Sequence, residues 1–279
     1  MPSKLPKIET IELFSQLDGL LIDVLKSLKE SDWDLPTLAP KWRVKDIAAH
    51  LLDGNLRALS MLRDGYFGEK PGEIDSYADL LAYLNKLNED WVKSMTRLSP
   101  KVLIDLLESS EKEYILFLES LNPEDTSKFS VAWAGKSESK NWFHIAREYT
   151  EKWHHQQQIR WAIGATEPLY TFELYHPYLE TSIRALPHHY RNTQAENGDF
   201  LEFHIEHFGS WFLVYLDDKW ILTQEVSQKP TCKTLIPRDL AWRIFTKGIK
   251  PDIAKKLIKF EGPSPHLGEQ ILDMLAVMA

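Results

Sequence analysis

The stretch from Asn141 to Ile163, NWFHIAREYTEKWHHQQQIRWAI, holds the densest cluster of side chains able to bind a cation or move a proton. His144, Glu148, Glu151, His155 and Gln158 recur there at steps of four, three, four and three, so in a helix they share one face. Glu151 and His155 are one turn apart, close enough for a carboxylate oxygen and an imidazole nitrogen to bind the same ion. A further ligand must come from elsewhere. His50 is the candidate, being the only histidine in the first 140 residues and set in the apolar surroundings AAHLL, where a basic group needs compensation. Two histidines and one carboxylate leave a coordination position for water or substrate, the arrangement of a catalytic rather than a structural zinc.

Spacing alone leaves a plainer reading open. A lone histidine in an apolar helix also serves as a hydrogen-bonded core residue, and a Glu/His pair one turn apart also serves as a solvent-facing pair. His154 points about 100 degrees away from His155 around an ideal helix, so only one of them should share the face of Glu151, and His155 is preferred. His188, His189, His204 and His207 are assigned to surface or core. Trp142, Ala146, Tyr149 and Trp153 occupy the opposite face of the 141–163 helix, with Trp161 on its flank; that side should be packed, while the polar stripe meets either water or a metal.

These residues need elements to carry them. Ile8, Ile11, Phe14, Leu17, Leu21, Val24, Leu25 and Leu28 predict an amphipathic helix over 8–30. A linker punctuated by prolines, DWDLPTLAPKW, precedes a second helix from about Val44 to Arg63, apolar on more than one side and so buried. The segment GYFGEKPGEID reads as a turn, Ser76 with Asp79 starts a helix over Tyr77 to Leu98, and Ser99 and Pro100 start another that runs to about Leu121. Residues 123–140 read as a polar loop, and Gly164 caps the helix over 141–163. After a helical piece near 172–186 the period changes at about Asp199. FLEFHIEHF, SWFLVYL and KWILTQ are strands of an antiparallel meander, turned at Gly209 and at Asp217 and Asp218. A fourth strand over Cys232 to Ile236, a helix over 238–247 and two more short helices, the last being GEQILDMLAVMA, complete an α+β unit.

Composition narrows the functions. At 279 residues the chain is long enough for two cores, and with 43% hydrophobic and 27% charged residues it belongs with ordinary globular proteins. A net charge of -8, with the acidic residues spread along the chain, argues against nucleic acid as partner. No stretch approaches the roughly 20 apolar residues of a membrane span, so no membrane association is expected. The single Cys232 forms no internal disulfide and fits the cytoplasm; lying within a strand, it is not the expected nucleophile.

The stretches WRVKDIAAHLLDGNLRAL and REYTEKWHHQQQIRWAIG resemble the two metal-bearing helices of the mycothiol-dependent maleylpyruvate isomerase family, part of the wider DinB-like helical bundle superfamily. Trp42, Asp46 and His50 match the approach to the family's first ligand. Arg147, Glu151 and His155 match the four-residue steps of the later helix, and residues 159–164 match its Ile-Arg-x-Ala-x-Gly ending. Gln158 departs from the family, which often has Asp there. The resemblance implies a mainly α plus α+β chain: a DinB-like up-down four-helix bundle over residues 1–170, then a sterol-carrier-like α+β domain over 171–279 with a small antiparallel sheet. It implies a divalent metal held by His50, Glu151 and His155, zinc first and nickel as the alternative. It also implies a low-molecular-weight thiol whose sulfur, activated by the metal, isomerises or is conjugated to a small electrophilic substrate. Two other functions share the site: a hydrolase with Glu148 or His144 as base, and a metal- or ligand-binding protein without turnover.

Overall fold

The computed structural model describes residues 5–68, 72–224, 226 and 229–277. Five long helices come first: α1 (Phe14–Ser27), α2 (Val44–Ala58), α3 (Tyr77–Met95), α4 (Pro100–Ser120) and α5 (Asn141–Ala162). Their starts follow the side chains that were expected to set them. Ser76 Oγ accepts the backbone N–H of Asp79 at the head of α3, and Ser99 Oγ accepts that of Val102 at the head of α4, where Pro100 gives up no helical hydrogen bond. The second expected helix splits into α2 and one π turn over Leu59–Arg63. The expected turn over residues 65–75 includes 69–71, which lie outside the described residues. At the other end of the bundle α5 stops at Gly164, whose φ of 71° only a glycine adopts at no steric cost.

The helices α1, α4, α2 and α5 close a four-membered ring of packed neighbours, and α3 lies outside it against α2. Leu21, Val24, Ile47, Leu51, Leu103 and Leu107 fill the space between α1, α2 and α4. The side chains of α5 are buried on nearly every side, polar ones included.

The second half opens with α6 (Phe172–Ile183) and the short α7 (Leu186–His189) and then forms a five-stranded sheet. Its strands are β1 (Phe200–Ile205), β2 (Gly209–Leu216), β3 (Lys219–Thr223), β4 (Cys232–Ile236) and β5 (Lys259–Glu261), in the spatial order β3-β2-β1-β4-β5. The meander of β1, β2 and β3 is antiparallel as expected, and Asp217 and Asp218 turn it with φ of 50° and 60°. The sheet as a whole is mixed, because β4 runs parallel to β1. The strand β5 was not expected; three residues are too few to show an alternating pattern. Leu201, Phe203, Ile205, Leu213, Trp220 and Cys232 all point to one buried face. On the C-terminal side are α8 (Arg238–Phe245), α9 (Pro251–Ala254) and α10 (Pro265–Glu269). The expected closing helix is shorter than its sequence suggests: α10 gives way to a 3-10 turn over Gln270–Asp273, and the backbone N–H of Ala276 donates to Phe245 O instead of continuing a helix. Residues 278–279 of that ending lie outside the described ones.

The apolar core runs from Ile8 to Ala276 through both halves. Trp153 of α5, fully buried, stacks on Tyr175 at 4.6 Å and packs on Tyr178 at 4.3 Å between ring centroids, with Trp242 of α8 edge-on. No helix among the described residues is long and apolar enough to cross a membrane.

Candidate metal centre

His50 is delivered by the start of α2. The carboxylate of Asp46 reaches back to accept the backbone N–H of Arg43 at 2.9 Å, which fixes the first turn and makes Asp46 a helix-start residue rather than a ligand. One turn on, the His50 ring lies edge-to-face with that of His155 at 4.6 Å between centroids, and Trp42 covers both rings at 4.7 and 6.2 Å. Glu151 completes the group, its Oε2 3.7 Å from His155 Nε2. His155 therefore meets His50 across two helices and has Glu151 one turn back on its own, and the polar stripe of α5 faces protein: His144, His155 and Gln158 are buried. Glu151 keeps 29% of its side-chain surface open, which marks the exposed edge of the group.

The hydrogen bonds prepare nitrogen lone pairs. His155 Nδ1 lies 2.9 Å from Gln158 Oε1; an amide oxygen only accepts, so Nδ1 carries the proton and Nε2, on the side of Glu151, is left basic. His50 Nδ1 is buried and has no partner at all. Burial, joined by His155, Arg57 and His154, holds His50 well below the usual imidazole range. Burial takes His155 down to about 3, so both rings are neutral, the form that binds metals. Burial raises the Glu151 carboxyl while His155 opposes it; a cation between them would add a far stronger pull toward the carboxylate.

His154 is closer than its place on an ideal helix suggests. Its ring centroid is 4.0 Å from that of His155, and its Nδ1 is 4.0 Å from Glu151 Oε2. Among the described residues, Glu151, His154 and His155 form the one set of three donors whose ligand atoms lie within 4.8 Å of one another. His50 adjoins this set from α2. The sequence reading set His154 aside from Cα directions alone, and an imidazole arm can swing back toward its neighbour.

The residues considered as bases are committed elsewhere. Glu148 accepts from Arg147 at 2.7 Å and from the Tyr114 hydroxyl at 2.8 Å; against the cost of burial, Arg147, His144 and Tyr114 pull it down to about 2. His144 Nδ1 accepts from Arg147 at 2.6 Å, and burial takes it down to about 4. Cys232 is fully buried and burial raises its thiol pKa, as suits a packing residue. His189 bonds to Gln270 O and His204 to Ser210, and none of the six remaining histidines belongs to the donor set described above.

A ring of four helices that presents imidazole and carboxylate donors at one edge, followed by a mixed sheet with helices, defines an α-bundle protein with an appended α+β unit. Residues 14–160 match the model of the mycothiol maleylpyruvate isomerase N-terminal domain, and the chain belongs to that family. Two solved structures share the fold along most of both chains. A histidine-to-alanine mutant of the mycothiol-dependent maleylpyruvate isomerase superposes with a TM-score of 0.55 at 12% identity, covering 92% of this chain and 93% of the other. A second structure of the mycothiol-dependent maleylpyruvate isomerase gives 0.52 at 13% identity, covering 86% and 88%. No curated protein matches the sequence.

Proposed function

We propose that this chain is a metal-dependent enzyme that uses a low-molecular-weight thiol to isomerise, or to form an S-conjugate of, a small electrophilic molecule. His50, Glu151 and His155 would hold the cation. The observation that carries the reading is the buried meeting of two neutral imidazoles from α2 and α5, one with an unpartnered Nδ1, beside a partly exposed carboxylate. An orphaned buried nitrogen costs free energy unless something binds it. Two nitrogens and an oxygen suit zinc, with nickel as the alternative.

A divalent cation bound there supplies one thing: it stabilises the thiolate of an added thiol, and the thiolate is the nucleophile. The chain does the rest. Gln158 keeps the His155 proton on Nδ1, Trp42 covers the two rings and limits water, and Glu151 sits at the edge by which a small molecule enters. Residues 1–170 carry this centre, and 171–279 form the second unit that closes over the far side of α5. The single buried Cys232 suits a reducing compartment such as the cytoplasm. A hydrolase at the same place needs a free base, whereas Glu148 and His144 are both occupied.

Metal analysis tests the reading. Purified protein should carry close to one equivalent of zinc or nickel, and His50→Ala and His155→Ala should each lose it. Turnover of an electrophile such as maleylpyruvate should then require added thiol. Metal content that is the same in both variants as in the parent overturns the proposal.

A further inference from the structure

A positive side chain stands beside the proposed cation site, where it opposes the ion. Arg57 follows His50 on α2, and residues 50, 53 and 57, at steps of three and four, share one face of that helix. Its Nη1 is 3.5 Å from Asp53 Oδ2, so the guanidinium folds back to the level of Asp53, about 5 Å along the axis from His50. Asn88 of α3 meets the same Nη1 with its Oδ1 at 3.4 Å. The outer helix α3 is fixed at the level of His50 by Trp91, whose indole N–H donates to Ala49 O at 2.8 Å. From this position the charge of Arg57 acts on His50 across one turn of α2 and on Glu151 of α5. Both ties of the guanidinium are long, both fall on Nη1, and Nε and Nη2 have no partner among the described residues. The side chain keeps 32% of its surface open, close to the 29% of Glu151 at the same edge.

We propose that Arg57 is a binding residue that selects molecules bearing a carboxylate, its free Nε and Nη2 taking the two oxygens side by side. This rests on the cation site proposed above and names the chemistry of what enters it. A guanidinium beside a cation repels it, and an anion lying between the two turns that repulsion into two attractions. A carboxylate is the anion whose planar pair of oxygens matches the guanidinium fork. The reacting end of the molecule then lies at His50 and His155, and its carboxylate one turn further along α2. Either the thiol or the electrophile can bring that carboxylate. Asn88 and Asp53 act as positioning residues that hold Nη1 and leave the other edge of the guanidinium free.

Cobalt(II)-loaded protein allows the test to be read as binding, from the sulfur-to-cobalt charge-transfer band. 4-Mercaptobutyrate and 4-mercaptobutanamide differ in the charge of the far end and little in size. If the thiol brings the carboxylate, the parent should bind the acid about 10-fold more tightly than the amide. Arg57→Gln should lose that preference by weakening the acid alone, and Arg57→Lys, which keeps the charge without the fork, should retain part of it. If the electrophile brings it, succinate added after 2-mercaptoethanol should shift the band in the parent, succinamide should not, and Arg57→Gln should not respond to either. An unchanged affinity for the amide separates lost recognition from a damaged site. Equal binding of acid and amide with no response to succinate overturns the role of Arg57 and leaves the cation site standing, as does a preference that survives in Arg57→Gln. Failure of the parent to take up cobalt overturns both.

Discussion

Gln158 shows what a single side chain decides at this centre. Its amide oxygen holds the proton of His155 on Nδ1 at 2.9 Å, and both residues are buried. A carboxylate there would make the imidazole a stronger donor, and an apolar side chain would leave the ring free to flip. Partners of this kind change metal affinity by about 10–100-fold. Gln158→Leu should therefore weaken cation binding by about 10-fold or more, while Gln158→Glu should tighten it, both measured by competition with a coloured chelator. Equal affinities in the two variants would show that the contact has no part in binding. At this scale the sequence was partly legible. That His155 meets His50 and Glu151 was legible because a helix repeats every 3.6 residues and because His50 stands in an apolar run. That His154 lies beside them was not legible, because backbone direction does not tell where an imidazole ends.

The element that positions these groups is α5, and it is held from the other side by buried charge. Lys152 donates to both carboxylate oxygens of Asp18 on α1, at 2.9 and 3.1 Å, with both residues almost fully buried. Removing one partner of such a pair leaves a charge without solvent, at a cost of about 3–5 kcal/mol, whereas replacing both by apolar groups is often neutral. Lys152→Met should lower stability to urea by about that amount, and Asp18→Leu with Lys152→Met should recover most of it. Similar losses in the single and double variants would mean that the pair does not act as a unit. Glu111 on α4 lies in the same interior: burial, then Asp18, push its carboxyl up to about 8, Lys152 opposing. The folded chain thus keeps a proton that the unfolded chain releases near the ordinary value of 4.5. With more protons bound in the native state, stability falls as pH rises from about 4.5 to about 8. The urea midpoint should fall over that window in the parent and fall less in Glu111→Gln; parallel pH profiles would remove Glu111 as the cause. None of this was legible in the sequence. Nothing in the residue types of Lys152, Gln156 and Arg160 marks them as buried, and only the neighbouring helices turn them inward. The aromatic residues of α5 were read correctly, since Tyr149 and Trp153 could hardly be left in water.

Across the whole molecule, α5 is the wall shared by the bundle and the sheet-bearing half. The change of hydrophobic period near Asp199 exposed the shift from helices to strands, and local turn chemistry at Asp217 and Asp218 exposed the meander. The parallel pairing of β4 with β1 was not legible, because it joins residues some thirty positions apart and depends on no local pattern. Nor was the continuity of the core. Trp153 is packed by Tyr175, Tyr178 and Trp242, while Trp242 donates its indole N–H to the Tyr170 hydroxyl at 2.9 Å. A bundle freed of the second half would expose that whole aromatic face, so the halves should unfold together although they are distinct in architecture. Trp242→Ala removes a fully buried ring and should cost about 3–5 kcal/mol. If the core is one unit, hydrogen exchange followed by mass spectrometry will show α2 and β1 losing protection at the same lowered urea concentration in this variant. If α2 keeps the parent's protection while β1 loses its own, the two halves are independent, and the proposed cation centre owes nothing to the sheet behind it.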